Sequence, residues 1–279
     1  MSESQRQIPY IDFLIERLER GETVWQKAFG LHVHWGYWPD PRSATASIDD
    51  FAQAAERLGR LVCDAAGVTD GMRVLDVGCG FGGTLASLGA RFEGLDLWGL
   101  NIDYRQLERA RRQAIPRARN RLQYVAADAC LLPFANESFD ALLAVECIFH
   151  FSSRRRFLRE ARRVLRPGGR LAFSDFVPRV KTLPLLALMF AFFRSAVVKT
   201  YGDCNLPWSI AKYHRLAGAA GFASIGCEDI TANTLPTYVT LRRMSLRLSR
   251  HAAAATRFLE WASRAGWLRY LVLGFERKA

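Results

Sequence analysis

The sequence predicts an α/β fold: a doubly wound, mostly parallel sheet with a late antiparallel hairpin, capped by N-terminal helices and covered by a helical lid insertion. Three observations carry that expectation. From Arg73 onward short apolar runs alternate with amphipathic helical stretches, the pattern of a parallel sheet covered on both faces. The first run, Val74-Leu75-Asp76-Val77, leads into Gly78-Cys79-Gly80-Phe81-Gly82-Gly83, a glycine-rich strand-to-helix turn. Beyond Pro178 the alternation stops at a long apolar segment, which reads as an insertion over the sheet's carboxyl edge, where ligands bind in this architecture.

The elements follow in order. Ile11, Leu14, Ile15 and Leu18 recur at helical spacing, so the chain opens with an amphipathic helix that Gly21 ends. An aromatic loop, Leu31-His32-Val33-His34-Trp35-Gly36-Tyr37-Trp38-Pro39, precedes a capping box, Ser47-x-x-Asp50, and a second helix with Phe51, Ala55, Leu58 and Val62 as its buried stripe. Strands are expected at Arg73 to Val77, Trp98 to Ile102, Leu122 to Ala126, Phe139 to Val145 and Arg170 to Phe173. Helices fall near Gly83 to Leu88, Tyr104 to Gln113 and Ser153 to Leu165, the last closed by the turn Arg166-Pro167-Gly168-Gly169. After the segment Leu183 to Val198 and the loop Tyr201 to Trp208, Ser209 caps a helix to Ala220 and a strand spans Ser224 to Ile230. A helical region from Thr240 to Ala265 precedes the closing strand, Tyr270 to Phe275. Residues 1–70 are then N-terminal helices and aromatic loop, 71–178 the ligand-binding core, 179–208 the lid, and 209–279 the completion of the sheet with a further helical lid.

A chain of 279 residues is long enough for one large core and a modest cap. Its formal charge of +12 attracts anions. Runs such as Arg109 to Arg112 and Arg154-Arg155-Arg156 fall in helical stretches and read as solvated faces, and no zinc-finger spacing or RNP-like strand is present, so nucleic acid is not an expected partner. Cys63, Cys79, Cys130, Cys147, Cys204 and Cys227 form no C-x-x-C pair and read as small hydrophobes in a reducing compartment. The polar start, Met1 to Gln7, holds no signal-peptide core, and a cytoplasmic protein, monomeric or homodimeric, is expected. The run Leu183 to Val198 is shorter than a bilayer crossing and carries Arg194, so it is not expected to span; contact with a membrane surface stays open. No metal site is expected.

Gly78, Gly80 and Gly83 satisfy G-x-G-x-x-G, which by itself also fits a nicotinamide-dependent oxidoreductase. Val74-Leu75-Asp76-Val77-Gly78-Cys79-Gly80-Phe81-Gly82, however, resembles the cofactor motif of class I S-adenosylmethionine-dependent methyltransferases, whose fold is Rossmann-like. Ala127-Asp128-Ala129, Leu132-Pro133-Phe134, Ser138-Phe139-Asp140 and Leu165-Arg166-Pro167-Gly168-Gly169 extend the likeness from Arg73 to Phe176. The resemblance implies S-adenosyl-L-methionine as cofactor. Asp76, Gly78, Gly80 and Gln106 then contact the cofactor, Asn101 its ribose, and Asp128 with the backbone of Ala129 its adenine. An acid often occupies the position of Asn101, so Asp96 remains a competing ribose ligand. The nearest likeness is to the small-molecule branch: quinone- and tocopherol-type enzymes, natural-product sugar O-methyltransferases and prenyl-diphosphate C-methyltransferases. In that branch a loop similar to His34-Trp35-Gly36-Tyr37-Trp38 folds over the cofactor, which nominates Trp35 and Tyr37; packing against the sheet is the competing reading.

Methyl transfer is an in-line displacement, so the protein aligns the partners and excludes water, with a base only where the acceptor loses a proton. His150, after the fourth strand, has an ordinary pKa of about 6.5 and suits that task, with Asp175 as its orienting partner; packing and loop capping are the bland alternatives. The resemblance puts Glu146 beside the methionine moiety. Phe149, Phe190 and Phe193 offer apolar contacts to a small-molecule acceptor, while Arg194 and Tyr201 offer a hold on an anionic end such as a prenyl diphosphate. A cofactor-binding protein that no longer methylates, or a cyclase, is the third reading.

Overall fold

The computed structural model describes residues 8–113, 119–204, 208–245 and 250–279. The polar N-terminal stretch and the middle portions of the 201–208 loop and the 240–265 helical region lie outside the described residues.

Helix α1 (Pro9–Glu19) buries Ile11, Leu14 and Leu18, and Gly21 takes the positive φ that turns the chain after it. A seven-residue helix, α2 (Thr23–Phe29), follows where the sequence reading has only loop; two turns with one β-branched pair carry too little periodicity to be seen. The third helix, α3 (Ile48–Ala65), starts at Ser47, whose hydroxyl accepts from the Asp50 amide at 3.1 Å. The box is only half closed, because the Asp50 carboxylate instead accepts from Trp38 Nε1 (3.0 Å) and the Thr45 amide (2.8 Å).

The core alternates as expected: β1 (Arg73–Val77), α4 (Gly83–Arg91), β2 (Asp96–Asn101), α5 (Tyr104–Gln113), β3 (Arg121–Ala126), β4 (Phe139–Ala144), α6 (Arg154–Val164) and β5 (Leu165–Pro178). The expected turn at Arg166 to Gly169 is a bulge within β5, since Leu165 pairs with Phe139 and Arg170 with Ala141. Helix α7 (Leu183–Tyr201) forms the lid, and α8 (Ile210–Ala219), β6 (Phe222–Asp229), α9 (Thr231–Thr234), α10 (Pro236–Ser245), α11 (Arg250–Arg264) and β7 (Leu268–Arg277) complete the chain. With the short turn before it, α7 makes a helical stretch of 22 residues, Val180–Tyr201, long and apolar enough to cross a membrane by length and composition. The expectation of a segment too short to span is corrected: Arg194 and Lys199 sit on a helix and do not end it.

The sheet order is β3-β2-β1-β4-β5-β7-β6. Strands β1 to β6 run in one direction, while β7 runs antiparallel between β5 and β6. The late hairpin is therefore present in pairing, although α9, α10 and α11 separate its two strands. Chain reversal at β1 sends β2 to one side and β4 to the other, so a crevice opens above the carboxyl end of β1. Apolar side chains fill both faces, with Leu75, Leu142 and Phe173 below and Val74, Leu143 and Ala172 above.

Candidate active site

The register of the sheet builds the turn. The Gly78 and Cys79 amides both donate to the Leu100 carbonyl (2.7 and 3.0 Å), so the chain bends over the end of β2 as it leaves β1. Gly78, Gly80 and Gly82 adopt φ of 75°, 55° and 85° to do so. A Cβ on Gly78 would stand 2.7 Å from Cys147 Sγ, whereas at Gly80 the space is open and the nearest atom is Gln106 Oε1 at 3.9 Å. That opening lies above the start of α4, where free amides favour an electron-rich ligand.

Asp76 is buried, and neither of its carboxylate oxygens has a hydrogen-bond partner. Burial pushes its pKa up to about 7. An orphaned buried carboxylate is costly, and a ligand cation at this point removes the cost. The amino group of S-adenosylmethionine is such a cation, and the open space at Gly80 leaves room for its body, so the residues present fit the cofactor.

Of the two ribose candidates only Asn101 stands at the carboxyl edge. Asp96 pairs with Arg73 at the amino end of the parallel strands, where its carboxylate meets the Arg73 guanidinium at 2.9 Å. Asn101 is buried, accepts from the Asp103 amide (3.0 Å) and donates to Gln106 Oε1 (3.4 Å), which brings Gln106 to the same wall. Asp128 Oδ1 accepts from the Cys130 amide at 2.8 Å and so caps its own turn, while Ala129 is buried beside it.

Across the crevice lies a cavity of about 120 Å³ lined almost wholly by rings and aliphatic chains, among them Tyr10, Trp25, Trp35, Phe149, Phe176 and Leu259. Glu146 enters it from the loop after β4. Its backbone is held at φ 50°, a strained value for a residue with a side chain. Glu146 Oε2 accepts from the Trp35 amide at 3.0 Å and from the Tyr270 hydroxyl, and its own amide donates to Ser174 Oγ at 3.0 Å. Burial pushes the Glu146 carboxyl up to about 8 against the two donors that pull it down, and the Asp175 charge adds to the rise.

The aromatic loop is held from behind by a relay. His34 Nδ1 donates to the Trp35 carbonyl (2.9 Å), so its Nε2 accepts from His32 Nδ1 (3.1 Å). His32 Nε2 donates in turn to Glu56 Oε2 (2.8 Å), whose other oxygen takes the Ser87 hydroxyl (2.5 Å). Burial pushes the His34 ring down to about 3, and the His32, Ser87 and Arg60 hydrogen bonds hold Glu56 near 2. His34 is therefore neutral and lines the cavity.

Several nominated residues stand elsewhere. Asp175 is fully buried with Arg154 Nη2 at 3.2 Å and the Tyr213 hydroxyl on its Oδ2, so it closes an interior ion pair and does not line the cavity. His150 packs its ring against Phe149 (4.4 Å) and Tyr10 (6.1 Å) behind the wall that those residues form. Phe190 and Phe193 meet Phe258 of α11, because the phase of α7 turns them to its neighbour and leaves Arg194 exposed. Only the last turns of α7 reach the cavity, with Val197, Thr200 and Tyr201. Trp35 is a cavity wall, wedged against Phe176 (4.7 Å) and Tyr238 (4.3 Å). Tyr37 is half-buried and packs on the core, with Glu228 near its hydroxyl. Tyr270, Tyr10 and the His32–Glu56 relay escaped the sequence reading, because their partners lie far away in the chain.

A buried carboxylate under a glycine turn at the sheet's switch point, beside an apolar cavity, fits a Rossmann-like enzyme that binds a nucleoside cofactor. Residues 75–173 match the Methyltransferase domain family. The chain is 40% identical over 225 residues to methyltransferase GfsG of Streptomyces halstedii, covering 78% of this chain and 76% of that protein. It is 32% identical to 27-O-demethylrifamycin SV methyltransferase of Amycolatopsis mediterranei, over 75% of this chain and 73% of the relative. Among solved structures, geranyl diphosphate C-methyltransferase of Streptomyces coelicolor, in complex with Mg2+, geranyl diphosphate and S-adenosyl-L-homocysteine, superposes with a TM-score of 0.74 at 19% identity, covering 98% of this chain and 99% of that one. The chain belongs to the class I S-adenosylmethionine-dependent methyltransferases that act on small molecules. Family membership sets the nicotinamide-dependent alternative aside.

Proposed function

We propose that this enzyme methylates a hydroxyl group of a neutral, largely apolar natural product seated against Glu146. The observation that carries the reading is the cavity wall: among the described residues Glu146 is the one carboxylate that lines it, and no lysine or arginine does. A diphosphate buried there would lack its counter-cations, at a cost of several kcal/mol. Arg194, nominated for an anionic end, is exposed on the lid, as is the neighbouring Lys199. The rifamycin relative, whose name gives an O-methylated product, supports oxygen as the acceptor atom.

Bound S-adenosylmethionine supplies an activated methyl group. Asp76 holds its ammonium, Gly80 gives its body room, Asn101 and Gln106 face its ribose and Asp128 its adenine. On the acceptor side Glu146 takes the hydroxyl proton, since a carboxyl raised to about 8 exchanges protons near neutrality. Tyr270 and the Trp35 amide fix its orientation. His150 keeps Tyr10 and Phe149 in place and acts through the wall.

The test is turnover of S-adenosylmethionine with hydroxylated polyketides, read by mass spectrometry as the gain of one methylene. Glu146→Gln is expected to lower kcat by about 100-fold while affinity for S-adenosylhomocysteine stays within a few-fold. The wild-type rate should climb with pH toward 8, and that limb should be missing in the variant. Full activity of Glu146→Gln, or transfer only to charged acceptors, overturns the reading; cofactor binding with no transfer to any acceptor favours the non-methylating alternative.

A further inference from the structure

We infer that the outer face of α7 docks on an anionic phospholipid bilayer, with the helix lying in the plane of the headgroups. Leu185, Leu188, Phe192, Ser195 and Lys199 follow one another at steps of three, four, three and four residues, which aligns them along one side of the helix, and Lys181 stands in the short turn that leads into it. All six are exposed, Leu188 by 56% and Phe192 by 77%. The stripe is thus apolar in its middle and closed by a lysine at each end. Large apolar side chains in a continuous exposed row mark an interaction surface.

Charge chooses the occupant. The stretch from Val180 to Tyr201 contains no acid, and Arg179, Lys181, Arg194 and Lys199 are all exposed. The whole chain carries +12. A second copy is the poorer partner, because two-fold antiparallel pairing of α7 with itself sets Lys181 of one copy against Lys199 of the other at both ends. An anionic surface meets the same lysines with opposite charge, while their stems and the leucines and Phe192 enter the acyl boundary. The helix does not need to cross the bilayer: its other side stacks Phe193 on Phe258 at 5.0 Å and carries Val197, Thr200 and Tyr201 into the cavity wall. Lid helices that face lipid on one side and the cavity on the other would admit an apolar acceptor from the bilayer. That consequence, unlike the docking itself, rests on the acceptor reading above.

The experiment is co-sedimentation of the full chain with vesicles of equal parts phosphatidylglycerol and phosphatidylcholine, against vesicles of phosphatidylcholine alone. Binding to the anionic vesicles should exceed binding to the neutral ones by about tenfold and weaken with salt. Leu188→Glu/Phe192→Glu should lose it, and Lys181→Glu/Lys199→Glu should weaken it. Both variants should keep wild-type affinity for S-adenosylhomocysteine, which certifies the fold. No binding to anionic vesicles, or wild-type binding by the Leu188/Phe192 variant, overturns the inference. So does a dimer in light scattering that the same variant dissolves without any vesicle binding. A failed acceptor reading registers in the transfer assay and leaves vesicle binding as it is, so the two are separable.

Discussion

Asp76 is a carboxyl that folding raises from its ordinary 3.8 to about 7. Between those values the folded chain keeps a proton that the unfolded chain has released, so this group's contribution to stability falls as pH rises through the window, by up to about 1.4 kcal/mol per pH unit. Cofactor binding has the opposite sign, because an ammonium pairs with the ionised form only. Affinity for S-adenosylhomocysteine should rise as pH approaches and passes 7, then level off, with proton release visible in calorimetry across buffers of different ionisation enthalpy. Asp76→Asn should bind more weakly and show no such slope. Gly80→Leu tests the facing wall: positive φ costs a residue with a side chain about 1–2 kcal/mol, and the new atoms fill the open space, so affinity should drop by well over tenfold. These positions were legible in the sequence, since a short motif holds both the carboxylate and the glycines. Glu146 was legible only as a neighbour of the cofactor. Burial raises its pKa, and its carboxylate is held in the cavity by Trp35 and Tyr270, which stand 111 and 124 residues away.

Elements decide which nominated side chains meet. The β1–β2 register removes Asp96 from the site and keeps Asn101, a distinction that no spacing rule makes because both lie on one strand. Helical phase does the same on α7, where Phe190 and Phe193 turn to α11 and Tyr201 turns to the cavity. An apolar segment with hydrophobic residues on all sides offers no periodicity to reveal that phase. Asp175 shows how an element's partner overrides a local reading. Arg154, the first residue of α6, is fully buried, donates through Nε to the Ile148 carbonyl at 3.3 Å and pairs with Asp175 on β5. It thereby ties the turn that carries His150 to the strand beside it. Arg154→Met should leave an uncompensated carboxylate in the interior and cost about 3–5 kcal/mol in chemical denaturation, whereas methylation by the molecules that stay folded should persist. Loss of stability below 1 kcal/mol would return Asp175 to the list of free acids near the site.

At the scale of the whole molecule, the last strand to be made is an interior strand. The sequence shows a closing apolar run but not its position, because strand order depends on which edge the chain returns to after three helices. β7 pairs along nine residues with β5 and supplies the strand partner of β6, and its Tyr270 is the donor that holds Glu146. The carboxyl-terminal segment therefore completes the sheet and the acceptor wall together. Removing residues 268–279 exposes the full edge of β5 and strips β6 of that partner, so the shortened chain should be insoluble or bind no S-adenosylhomocysteine. Removing only Lys278 and Ala279 should change neither property. In the intact chain, S-adenosylhomocysteine at about 100 times its Kd should add about 2.7 kcal/mol and raise Tm by about 5–10 °C. The rise should come in one transition, because the α3–α4 layer and β7 share one hydrophobic cluster with β1 and β4. Two transitions, with the ligand shifting only one, would mean that the β6–β7 pair folds apart from the cofactor half.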